Sequence, residues 1–111
     1  MNKLLDLVIE AINEKKGINP LLLDLRGVSG VTDYFLLCSG QNPVQVRTIA
    51  DNIQEKIQPE VSRLPYKEGY HDGVWILLDF GEFVVHILRQ DEREFYSLEN
   101  LWHDAKVTPI E

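Results

Sequence analysis

The stretch from His71 to Leu88, HDGVWILLDFGEFVVHIL, confines the fold more tightly than any other part of the chain. Two runs rich in β-branched, aliphatic and aromatic residues flank Phe80 and Gly81, and such runs around a short glycine-bearing break read as a β-hairpin. With a two-residue loop at Phe80 and Gly81, Asp79 stands opposite Glu82, Leu77 opposite Val84, and Trp75 opposite His86. Side chains alternate along a strand, so Val74, Ile76, Leu78, Phe83, Val85 and Ile87 make one wholly apolar face that must pack on helices. The other face mixes Trp75, Leu77 and Val84 with Asp79, Glu82 and His86. A three-residue loop would instead place Asp79 opposite Phe83.

The rest of the chain supplies elements to cover that apolar face. From Lys3 to Lys16, Leu4, Leu5, Val8, Ile9 and Ile12 recur at helical spacing, and Gly17 stops the helix. Strands are expected over Leu21 to Gly27 and Asp33 to Gly40, joined by the turn-forming VSGVT. Asn42 then caps a second helix with Pro43 at its first position, Val46, Ile49, Ala50, Ile53 and Ile57 on one stripe, and Pro59 as its end. A short strand is expected near Leu64 to Tyr66. After the hairpin, Asp91 and Glu94 have capping-box spacing, and Ser97 is placed to cap a further helical turn. The stretch 106–111 shows no period and reads as a loose tail. The order predicts one domain over residues 1–111 of α/β (α+β) class, a mixed sheet flanked by helices.

Charge narrows the partners. The chain has 18 acidic against 11 basic residues, a net charge of -7, and its Lys and Arg form no run that could track a phosphate backbone. Direct nucleic-acid binding is therefore not expected, whereas a basic protein is a fitting target. The single cysteine, Cys38, excludes an intramolecular disulfide and fits a reducing compartment. The first residues resemble neither a signal nor a transit peptide, and no segment reaches the roughly 20 apolar residues of a membrane span. A cytoplasmic protein is the expectation.

Three chemistries are conceivable for these residues. Asp79, Glu82 and His86 are possible metal ligands, but His86 lies roughly 13 Å along the strand from the loop end, too far for one coordination sphere. His86 fits better as a polar cross-strand partner of Trp75. Asp24, Asp33 and Asp79 could serve acid/base chemistry, yet Asp is common at strand ends and turns for its local backbone bonds. Cys38 or Ser39 would need a histidine aimed at it to act as nucleophile. In SGQNP, Gly40 could cradle an anion at a helix start, but helix capping explains the same residues.

Taken together, DLRGVSGVTDYFLLCSG, NPVQVRTIADNI, KEGYHDGVWILLDFGEFVVHIL and REFYSLENLWHDA resemble, in order and spacing, the ribosomal silencing factor family, also called Iojap-like. The resemblance rests on the joint pattern of Thr32, Asp33, Gly40, Trp75, Asp79, Gly81, His86, Tyr96, Leu98, Glu99, Leu101 and Trp102. It implies a nucleotidyltransferase-like topology without the catalytic motif, since the paired carboxylates of metal-dependent nucleotidyl transfer are missing. It implies a protein that is not an enzyme, with no metal or cofactor. Such a factor binds a basic protein of the large ribosomal subunit at the subunit-joining face and blocks the small subunit when nutrients are scarce. The expected partner-binding set is Trp75, Leu77 and Val84 as anchor, Asp79, Glu82 and His86 as polar partners, and Glu68 and Tyr70 at the approach. The same face could instead serve a homodimer. Large-subunit assembly and nucleotide binding are the alternative functions.

Overall fold

A computed structural model describes residues 3–28, 30, 32–96 and 105–110. Helix α1 (Lys3–Glu14) leads into β1 (Ile18–Asp24), then β2 (Tyr34–Gly40) and α2 (Pro43–Ile57). Next come β3 (Tyr66–Glu68), β4 (Trp75–Asp79), β5 (Phe83–Arg89), α3 (Gln90–Tyr96) and β6 (Lys106–Pro109). The six strands form one sheet in the order β3-β4-β5-β2-β1-β6. Among the described strands only β2 and β5 run parallel; the other pairs are antiparallel. The expected mixed α+β sheet with helices against it is what forms.

Helical periodicity sets the first layer. Leu5, Val8, Ala11 and Ile12 of α1 and Val46, Ile49, Ala50, Ile53 and Ile57 of α2 are all fully buried. They meet Leu22, Leu36, Cys38, Ile76, Leu78, Phe83, Val85 and Ile87 from one face of the sheet. Burying each Leu or Ile side chain contributes about 1.5–3 kcal/mol, so this layer dominates the stability. The opposite face carries a smaller cluster of Leu21, Leu23, Leu25, Leu37 and Leu88, with Phe35, Trp75 and Ala105 partly buried against it.

Four expectations change. Strand β1 begins at Ile18, not Leu21, because Asn19 at φ +46 and Pro20 form an irregularity that the strand passes through. The short strand sits at Tyr66–Glu68 rather than around Leu64. Asp91 does not cap α3, which already starts at Gln90; its carboxylate takes the Arg89 guanidinium at 2.6 and 3.0 Å. The tail read as loose pairs with β1 over Leu21 to Asp24, so residues 106–109 are an edge strand despite their exposure. The turn expected at Ser97 lies outside the described residues.

The start of α2 follows the sequence closely. Asn42 accepts the Gln45 backbone N–H at 2.9 Å, and the Gln45 side chain accepts the Gln41 N–H at 2.7 Å. Gly40 lets β2 run directly into this turn. A Cβ there would lie 3.0 Å from both the nitrogen and a methyl group of Val46.

Candidate functional site

The hairpin closes one residue later than the sequence suggested. Phe80 donates its N–H to the Phe83 carbonyl at 3.0 Å, leaving Gly81 and Glu82 as the loop. Gly81 takes φ +89, a conformation suited to glycine at the first position of a tight hairpin loop. Asp79 Oδ1 accepts the Gly81 N–H at 2.8 Å, so this carboxylate closes the turn. The pairs are Asp79 with Val84, Leu77 with His86, and Trp75 with Leu88. The expected pairs are therefore wrong, but the shift moves each partner by two residues. Because side chains alternate with period two, the strand residues keep their faces, while Glu82 passes into the loop.

The helix-side face is as apolar as expected, with Ile76, Leu78, Phe83, Val85 and Ile87 at most 1% exposed. Pairing across the sheet orders the other face into rows. One runs Tyr66, Asp79, Val84, Phe35, Leu23, and the next runs Glu68, Leu77, His86, Leu37, Leu21. Leu77, Val84, Phe35 and Trp75 are half-buried, while Glu68, Asp79 and Glu82 are exposed. Lys67, between Tyr66 and Glu68, turns the other way. Its ammonium lies 4.3 Å from the Tyr70 ring and donates to Gln54 at 3.3 Å. The result is an apolar strip edged by carboxylates, with Lys67 turned to the helix side.

Glu68, Gly69, Trp75 and Leu77 line a concavity at the β3 end of this strip. Gly69 has φ +78, and a Cβ there would fall 2.0 Å from the Trp75 carbonyl oxygen, so the backbone of Trp75 is closely braced. Trp75 Nε1 donates to His86 Nδ1 at 3.1 Å. The expected Trp75 and His86 partnership thus exists, but as a diagonal pair rather than a directly opposed one. His86 is not a rim group either. It is 6% exposed, with the Phe35 ring edge-on at 4.6 Å, and burial pushes its pKa down to about 4.

Tyr70 also departs from expectation. It packs on the helix-side cluster and donates its hydroxyl to Asp51 of α2 at 3.0 Å, away from the strip. Tyr66, 61% exposed beside Asp79, takes its place. Its hydroxyl donates to Glu68 at 2.7 Å. The signal for Tyr66 was its two-residue step from Glu68, which puts both on one face.

The other chemical candidates do not converge. Asp24 is engaged by Arg26 at 2.8 and 3.0 Å, which holds its carboxyl down at about 2. Asp33 donates its backbone N–H to the Glu82 carbonyl, joining β2 to the hairpin loop. Cys38 is fully buried, and burial raises its thiol to about 12; it faces the helices while His86 lies on the opposite face. Ser39 Oγ accepts from Arg93 at 3.1 Å. Among the described residues, no three of His, Cys, Asp and Glu gather closely enough to hold a metal ion. No described helix is long and apolar enough to cross a membrane.

A family model described as "Ribosomal silencing factor during starvation" matches residues 1–111. The chain belongs to the ribosomal silencing factor family. It is 37% identical over 109 residues to the ribosomal silencing factor of Halalkalibacterium halodurans, covering 98% of this chain and 93% of that one. The Bacillus subtilis ribosomal silencing factor is 36% identical over 108 residues, covering 97% and 92%. Mouse "Mitochondrial assembly of ribosomal large subunit protein 1" is a more distant relative, 25% identical over 101 residues and matched over 44% of its length. A crystal structure of a Chromobacterium violaceum protein superposes with a TM-score of 0.87 at 27% identity, covering 100% of this chain and 94% of that one. In this ribosomal silencing factor family member, six of the eight expected partner-binding residues share the mixed face, Glu82 lies in the adjoining loop, and Tyr70 turns to α2.

Proposed function

We propose that this chain is a ribosomal silencing factor that docks on a basic protein of the large ribosomal subunit, at the subunit-joining face, and sterically keeps the small subunit away. The observation that carries the reading is the half-buried strip of Trp75, Leu77 and Val84 rimmed by Glu68 and Asp79, with Glu82 exposed in the adjoining loop. A strip of this kind suits a basic protein surface: carboxylates at the rim steer the encounter, and the apolar centre supplies most of the affinity. Such a role needs no catalysis, metal or cofactor, and no direct contact with nucleic acid or membrane. It places the protein in the cytoplasm.

Binding of the purified protein to isolated large subunits, with Trp75→Ala and Asp79→Lys variants, tests the docking face. Loss of more than tenfold in affinity for Trp75→Ala is expected of an aromatic anchor. Full-strength binding by both variants contradicts the assignment.

A second reading, a factor for large-subunit assembly acting through the same face, is favoured by the name of the mouse relative. It is distinguished by its readout. Depleting an assembly factor causes large-subunit precursors to accumulate, whereas depleting a silencing factor leaves mature subunits that join too readily under starvation.

A further inference from the structure

We propose that His86 is a positioning residue, holding the Trp75 indole in the orientation in which it meets the ribosomal partner. The inference rests on the docking-face reading above, and it deepens it by saying what makes the anchor rigid.

The hydrogen bond fixes the chemistry of the ring. Because His86 Nδ1 accepts from Trp75 Nε1, a neutral imidazole must carry its own proton on Nε2. That Nε2 is buried and has no hydrogen-bond partner among the described residues. A buried donor without an acceptor weakens folding, and an aliphatic side chain of similar size would exchange that cost for the lost acceptor of the part-buried Trp75 indole N–H. The imidazole therefore adds little to folding over an aliphatic residue. It is explained by the Nδ1 lone pair, which points at Trp75.

The surroundings keep that lone pair in place. Leu77 and Leu37 flank His86 on the neighbouring strands, and the edge-on Phe35 ring lies at 4.6 Å. Burial of the ring disfavours its protonated form, so Nδ1 remains an acceptor at neutral pH. On the other side, Gly69 braces the Trp75 carbonyl. The indole is thus fixed at both its backbone and its ring nitrogen, forming one wall of the concavity with Glu68 and Leu77. An aromatic anchor that is already ordered loses less freedom on binding.

The test compares His86→Leu, which removes the acceptor, with His86→Asn, whose side-chain oxygen can stand in for Nδ1. Affinity for large subunits, thermal unfolding and the Trp75 indole N–H resonance, assigned with Trp75→Phe, are measured on each. His86→Leu is expected to bind about five- to tenfold more weakly with little change in unfolding temperature, and with its indole N–H exchanging faster. His86→Asn is expected to recover most of the binding although it packs less well and unfolds earlier. Opposite orders of stability and binding are what a merely structural histidine would not give. Wild-type affinity in His86→Leu overturns the inference alone, as does a freely exchanging indole N–H in the wild type. Full-strength binding by both Trp75→Ala and Asp79→Lys overturns the docking face; full-strength binding by Trp75→Ala alone removes the anchor, and this inference with it.

Discussion

Lys16 has φ +58 at the end of α1, and the reason is a closed set of bonds. Its N–H bonds the Asn13 carbonyl at 3.1 Å, and that of Gly17 bonds the Ile12 carbonyl at 3.0 Å, the Schellman pattern that ends many helices. Gly17, expected to stop the helix, does so by closeness: a Cβ there would sit 2.5 Å from an Ile12 methyl carbon. The left-handed position itself belongs to Lys16, so Lys16→Gly should stabilise the protein by about 1 kcal/mol, read from urea unfolding. His86 supplies the pH dependence. Its pKa falls from 6.5 to about 4 on burial, so between those values the unfolded chain binds more protons than the folded one. Its contribution is full above pH 6.5 and is lost on acidification toward pH 4, by up to about 3 kcal/mol. Unfolding at pH 7 and pH 4.5 should show this loss in the wild type and a smaller one in His86→Leu. At this scale the sequence revealed residue types and faces. Asp79 as a turn closer and Trp75 with His86 were legible because each depends on near neighbours in one hairpin. The burial of His86 was not, since it depends on Phe35 and Leu37 from a strand some 50 residues earlier.

Elements defined by local chemistry were the most readable. Helix α2 begins where Asn42 and Pro43 required it, because capping involves neighbouring residues only. Asn42→Ala should cost about 1 kcal/mol, measured as a lower urea midpoint with an unchanged slope. Elements defined by distant partners were not readable. Strand β6 has four exposed residues and no apolar alternation; its strand character comes from the open edge of β1, far away in sequence. Amide exchange should therefore be slowed where β6 bonds to β1, in contrast to the rapid exchange of a free tail. The direction of Tyr70 was not readable for a similar reason: a loop residue has no fixed parity, and Asp51 of α2 captures it. The hairpin shows why the face survived an error in register. Moving the turn from Phe80–Gly81 to Gly81–Glu82 changes every opposed pair by two positions, and a period of two is blind to that change.

At the scale of the molecule, the two faces of one sheet divide the work. The helix-side face holds the larger core; the other, with its smaller cluster, leaves Trp75, Leu77, Val84 and Phe35 half-exposed within a chain of net charge -7. On the proposed docking to a basic protein, that charge predicts salt-sensitive binding, and Asp79→Lys should slow association more than it speeds dissociation. Joining of purified small and large subunits, followed by sedimentation with increasing amounts of the protein, tests the silencing mechanism most directly. Wild-type protein should leave the subunits separate at saturation while co-sedimenting with the large one, and Trp75→Ala should let them join. Undiminished joining at saturating wild-type protein, with no protein on the large subunit, would contradict it.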